Sequence, residues 1–267
     1  MFKKSLISVL LMTTPAISAD MVHETQYEPA PQYEAEVQPI RWTGLRLGIH
    51  AGITHTSADA NLGDTAGDLI NLDVYNGLFP DLISADNNSF AGGIDAGYDY
   101  QIGNVVLGVA GDLTFSNIDV TNTFARVDPN PNPPFTGVNT NTAYMTKVDY
   151  LATARLRMGY AFDRTMIYGT AGVATAEVEN RFDLEIPELA YTSPNWAEKN
   201  RLTGLVLGIG VEHQITDNWR FSLELQHVDL GDVTVNAVDP TNFPGQEINY
   251  TFDNKLMLAR FGLAYAF

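Results

Sequence analysis

The sequence predicts an all-β fold: an eight-stranded antiparallel transmembrane β-barrel with long external loops, preceded by a signal peptide. Three observations predict it. Eight runs of alternating character follow one another from Trp42 to Phe267. The connections between them alternate short and long. Aromatic side chains gather next to the short connections and at the end of the last run.

The chain begins with Lys3 and Lys4, then the apolar run Leu6–Met12, then a small-residue exit ending at Ala19. That order is a secretory signal peptide over 1–19. The run is too short for a membrane-spanning helix, which needs roughly 20 apolar residues. Removing Lys3 and Lys4 with the leader takes the formal net charge from −17 to −19. A nucleic-acid partner is excluded on that charge, since phosphate binding needs a basic surface. There is no cysteine, so an exported chain of this kind relies on its fold without disulfides. Residues 20–41 carry Glu24, Glu28, Pro29, Pro31, Glu34, Glu36 and Pro39 without any period. They read as an acidic, Pro-rich periplasmic linker, leaving 42–267 for the barrel.

The first run sets Leu45, Leu47, Ile49, Ala51 and Ile53 against Gly44, Arg46, Gly48, His50 and Gly52. A period of two is a strand, and in lipid the apolar face points out and the polar face in. The second run sets Phe90, Ile94, Ala96, Tyr98 and Tyr100 against Gly93, Asp95, Gly97 and Asp99. The third sets Val105, Leu107, Val109, Leu113 and Phe115 against Gly108, Asp112 and Thr114. In the fourth, roughly 143–162, Tyr144, Val148, Tyr150, Leu156, Met158 and Tyr160 oppose Asp149, Arg155 and Arg157. Small residues leave either face of the fifth run, about 166–178, open to lipid; Ile167, Ala171 and Val173 are taken as outward. The sixth sets Leu205, Leu207, Ile209 and Val211 against Gly208, Gly210 and Glu212. The seventh sets Trp219, Phe221, Leu223 and Leu225 against Arg220 and Glu224. The eighth sets Met257, Phe261, Leu263, Tyr265 and Phe267 against Arg260.

Tight turns follow the second, fourth and sixth runs; long polar stretches follow the others, at about 55–88, 117–142, 179–198 and 231–250. Brief periplasmic turns and longer external loops are the outer-membrane pattern. Tyr98, Tyr100, Tyr160, Trp219, Phe221, Tyr265 and Phe267 form one expected interfacial ring, with Trp42 beside it. Phe115 and Tyr144 are candidates for the other ring. The inner face collects Arg46, Asp95, Asp99, Asp112, Asp149, Arg155, Arg157, Glu212, Arg220, Glu224 and Arg260. Buried charge is expensive unless paired, so a paired network is expected. Eight strands enclose a space that side chains just fill, which argues against a wide pore.

Several motifs point elsewhere and are weak. His50, His55, His213 and His227 match no metal spacing. His227–Val228–Asp229 lacks a nucleophile elbow, so an enzyme is not expected, and no cofactor or metal is assigned. Asn61–Asp68 clusters oxygen ligands but lacks a full Ca²⁺ loop.

The chain resembles the small outer-membrane surface-antigen barrels of alphaproteobacteria, the porin-family or opacity-type proteins. Trp42–Thr43–Gly44, Gly92–Gly93 with Gly97–Tyr98, Asp229–Leu230–Gly231 and the terminal Arg260–Phe267 carry the resemblance. It implies surface exposure and a structural or host-interaction role. It also implies that Phe261, Leu263, Tyr265 and Phe267 form a signal read by the barrel assembly machinery. Expected partners are outer-membrane lipid, that machinery, and a possible host or extracellular ligand at the loops, with haem binding or adhesion as the alternative role.

Overall fold

The computed structural model describes residues 41–68, 71, 73, 79–127 and 137–267, with Ala85 described by its backbone only. The expected leader and all of the linker except Arg41 lie outside the described residues. The chain forms β1 (Gly44–Ala66), β2 (Leu82–Ile102), β3 (Val105–Val127), β4 (Asn139–Phe162) and β5 (Thr165–Ile186). A 3-10 turn (Pro187–Leu189) and the two-residue β6 (Tyr191–Thr192) follow. Then come β7 (Trp196–Gln214), β8 (Trp219–Val238) and β9 (Glu247–Ala266). The long strands pair antiparallel with their neighbours, and β1 pairs with both β2 and β9, so eight strands close into a ring. Among the described residues no helix is long and apolar enough to cross a membrane.

The eight strands of the ring are 19 to 24 residues long, whereas crossing a bilayer takes about 9–11. The residues expected in long loops (55–66, 82–88, 117–127, 139–142, 179–186, 196–198, 231–238 and 247–250) are therefore strand instead. The reason lies in two solvents along one strand. In β3, Leu107, Val109 and Phe115 point out and Asp112 and Thr114 point in. Beyond Ser116 the same parity puts Asp119 and Thr121 outside and Ile118 and Val120 inside. The half near the short turns is apolar outside and polar inside, as lipid demands. The other half has the reverse pattern, as water demands.

Three irregularities sit near that boundary, the first a register shift of β3 against β4 between Phe115 and Ile118. The register shifts between Val148 and Leu151, so Asp149 and Tyr150 oppose one residue of β5 and the facing parity of β4 flips. In β8 the shift between Asp229 and Asp232 includes Gly231 at φ +77°. Only glycine takes that backbone without steric penalty. Beyond it Val233, Val235 and Ala237 face inward.

Past the boundary the ring opens. The β2–β3 ladder ends at Ala91↔Ser116 and the β7–β8 ladder at Leu205↔Asp229, while the other ladders run on. The outer half is thus two four-stranded sheets, β8-β9-β1-β2 and β3-β4-β5-β7. Side chains cross the two seams. Asn87 Nδ2 donates to Asp119 O at 2.8 Å, Asn122 Nδ2 to Ser84 O at 3.0 Å, and Trp196 Nε1 to Val238 O at 2.9 Å. Between the sheets lies an aromatic core. Phe182 stacks on Trp196 at 5.5 Å and meets Tyr144 at 4.9 Å and Tyr250 at 5.5 Å. Tyr144 is therefore corrected from the lipid-facing ring to the interior, because the period of two was carried across the bulge at 149–150. Val148 moves inward for the same reason.

The lipid boundary gives a direct test. Leu207 faces out in the apolar belt, and Asn236 faces out in the aqueous half. Leu207→Arg is expected to destabilise by about 2–4 kcal/mol, the depth-dependent penalty for a midplane cation. Asn236→Arg is expected to stay within about 0.5 kcal/mol, as exposed substitutions do. Urea titration of the barrel refolded in phospholipid vesicles measures both, and equal penalties would remove the boundary.

Candidate functional site

The chemistry-bearing residues meet inside the membrane half. On β3, β4, β8 and β9 four side chains form a closed ring of alternating charge. Arg155 Nη2 meets Asp112 Oδ2 at 2.7 Å, and its Nη1 bonds Glu224 Oε1. Arg260 closes the circuit, with Nη1 to Asp112 Oδ1 at 3.1 Å and Nη2 to Glu224 Oε2 at 3.0 Å. Each carboxylate oxygen has its own guanidinium nitrogen. Thr153 adds its hydroxyl to Asp112 Oδ2 at 2.5 Å and accepts from Arg155 Nε at 3.0 Å.

A second ring lies nearer the short turns, on β2, β4, β7 and β8. Arg157 bonds Asp99 at 2.9 Å and also bonds Glu212. Arg220 stands 3.5 Å from both carboxylates. Arg46 joins from β1, at 3.3 Å from Asp99 and 3.2 Å from Asp95. His50 Nδ1 stands 3.7 Å from Asp95, and His50 Nε2 is bonded to Thr114 at 2.9 Å. Tyr168 links the rings: its ring lies 3.9 Å beneath the Arg157 guanidinium and its hydroxyl donates to Glu224 at 3.2 Å.

These groups converge because parity aims them inward and small partners leave room. A Cβ on Gly108 would stand 2.2 Å from Asp99 Oδ1, so that carboxylate occupies space only a glycine leaves. Gly48 stands in the same relation to Asp95. The inner-face glycines and Tyr168 were missed as part of the site; the signal was present as glycine alternating with charge on one face. Asp149 does not belong to the set. It is exposed on the outer face, 3.6 Å from Lys147 and 3.5 Å from Lys199, because the bulge reverses the facing there. Its removal leaves Arg46, Arg155, Arg157, Arg220 and Arg260 against Asp95, Asp99, Asp112, Glu212 and Glu224, a neutral interior.

Such pairs are charge-assisted and geometrically matched. Between them lies a cavity of about 20 Å³ beside Arg46, His50 and Arg155, room for about one water. At the short-turn end Trp42 is buried with Val106, Ala161, Met166 and Tyr168, and Arg220 lies over its ring at 4.9 Å. Trp42 is thus corrected from the interfacial ring to an inner plug.

The outer surface of this half carries an apolar belt. Tyr98, Tyr100, Tyr160, Trp219, Phe221, Tyr265 and Phe267 lie exposed at its short-turn edge. Phe261 and Leu263 are outward on β9, and the Phe267 amide donates to Leu45 O at 2.9 Å. His227 is exposed on the outer face of β8, and its imidazole makes no hydrogen bond among the described residues. Asp229 instead accepts the Gly231 amide at 3.0 Å. Asn61–Ala66, expected in a loop, belong to β1, and the described residues hold no cluster fit for a metal ion.

A closed eight-strand ring with a lipid-facing belt and a paired, charged interior defines a transmembrane β-barrel of the outer-membrane class. The chain belongs to the outer membrane protein β-barrel domain family, whose sequence profile matches residues 30–258. It is 31% identical to the 31 kDa outer-membrane immunogenic protein of Brucella melitensis, over 96% of this chain and 95% of that protein. It is 26% identical to the 22 kDa outer membrane protein of Rhizobium leguminosarum, over 73% and 68% of the two chains. Among solved structures, OprG of Pseudomonas aeruginosa aligns at TM-score 0.44 and 12% identity, over 84% of this chain and 98% of that one. The protein is a surface-antigen-type barrel of the cell outer membrane.

Proposed function

We propose that the protein is a structural outer-membrane barrel that adds to envelope integrity and displays surface loops, with no wide pore and no enzymatic activity. The observation that carries this reading is the filled interior. Two charge rings and an aromatic core stand in series along the axis, and the cavity among the charges is about 20 Å³. The immunogenic naming of the Brucella relatives supports the display role. The connections after β1, β3, β5 and β8 are the parts offered to a host or extracellular ligand. On this reading Phe261, Leu263, Tyr265 and Phe267 serve the assembly machinery during insertion.

Planar-bilayer recording of the purified, refolded chain tests the proposal. The expected result is no conductance, or one far below that of an open porin. A stable large conductance would overturn the filled-interior reading.

A further inference from the structure

The outer surface of the barrel carries one feature that the structural role does not use. On β4, β5 and β7, near the boundary between belt and aqueous half, small side chains leave an apolar groove of about 340 Å³. Ala152 and Ala154 line it from β4, Val173 and Thr175 from β5, and Thr203 from β7. The volume falls within the roughly 300–1,000 Å³ typical of small-molecule sites. Leu156 and Leu205 stand exposed beside it, so the groove is a local depression in an otherwise bulky belt. The pairings Ala152↔Thr175 and Thr175↔Thr203 set its floor across three adjacent strands.

A second observation lies directly above. Arg201 is the next outward residue of β7 beyond Thr203, and it is exposed. It pairs in register with Glu177, yet that carboxylate is held by Lys199 at 2.6 Å. Lys147 and Lys199 both engage Asp149. Arg201 makes no ion pair among the described residues. An unpaired guanidinium therefore stands at the lipid–water boundary over an apolar groove that opens into the lipid. Arginine presents a planar fork suited to phosphate oxygens.

We propose that this groove is a binding site for one phosphate-bearing lipid of the outer leaflet. One acyl chain lies along Ala152, Ala154 and Val173, and the phosphate meets Arg201. Thr175 and Thr203 mark the polar rim between the two. The site selects by the two ends together: the cation alone is open to solvent, and the groove alone is open to any hydrocarbon.

Native mass spectrometry of the full chain in detergent tests this, with phosphatidylglycerol titrated against diacylglycerol of the same chains. Phosphatidylglycerol is expected to be retained as a single copy, with diacylglycerol at least tenfold weaker. Arg201→Gln is expected to lower phosphatidylglycerol retention about tenfold, and Ala154→Phe to lower it comparably by filling the groove. Both positions lie on the outer surface, and the heat-dependent gel shift of each variant confirms a folded barrel. Equal retention of the two lipids, or unchanged retention in the Arg201 variant, would overturn the proposal. So would displacement of the lipid by inorganic phosphate, which would reduce the site to a bare cation.

Discussion

Arg155→Leu is expected to destabilise the barrel by about 3–5 kcal/mol, the penalty for leaving buried charges without their partner. Asp112 and Glu224 would keep only Arg260 between them. The adjoining cavity of about 20 Å³ holds about one water, too little to solvate the loss. Urea unfolding in phospholipid vesicles measures the change, with the gel shift as a second readout. A quadruple variant replacing Asp112, Arg155, Glu224 and Arg260 with apolar residues of similar volume is expected to recover most of the stability. That contrast separates the penalty for breaking the ring from the net worth of having it. If Arg155→Leu leaves the midpoint unchanged, the ring is not the seal of the lumen.

The second large effect belongs to the other half. Phe182→Ala is expected to cost about 3–5 kcal/mol, as large-to-small changes at buried aromatics do. Phe182 touches Phe79, Tyr144, Trp196 and Tyr250 at ring-centroid distances of 6.3, 4.9, 5.5 and 5.5 Å. Two features make the damage local. The core lies between two sheets whose seams are crossed by side chains, and the membrane ring beneath keeps its complete ladders. Hydrogen exchange is the appropriate measurement. Amides of Val235, Tyr250 and Phe252 should exchange faster, while those of Arg157 and Glu212 stay protected. Uniform acceleration along β4 and β5 would mean that the two halves unfold as one.

The membrane half was legible in the sequence because lipid imposes one rule on every strand. Leu205, Leu207, Ile209 and Val211 against Gly204, Gly208 and Gly210 admits only one facing. The outer half resembles loop in composition because its outward residues are Thr, Asn and Asp, which also compose turns. Yet Val233, Val235 and Ala237 alternate with Asp232, Thr234 and Asn236. The period was visible there, with its polarity reversed. The misplacement of Asp149, Tyr144 and Val148 has one physical cause. A bulge adds a residue without changing composition, so alternation carried through it points the wrong way. The seams were not legible, since nothing in composition distinguishes an edge bridged by Asn87 and Asn122 from a continuous ladder.

The length of the strands has a consequence for what reaches the protein from outside. Roughly ten residues per strand beyond the belt, at about 3.3 Å each and tilted about 40°, lift the strand tips about 25 Å above the hydrocarbon. That pedestal is rigid, because it carries its own apolar core. It stands clear of the lipid headgroups, which add only roughly 5–8 Å on each side of the hydrocarbon. A large, blunt visitor such as an antibody would meet the rim of the pedestal long before it met the membrane.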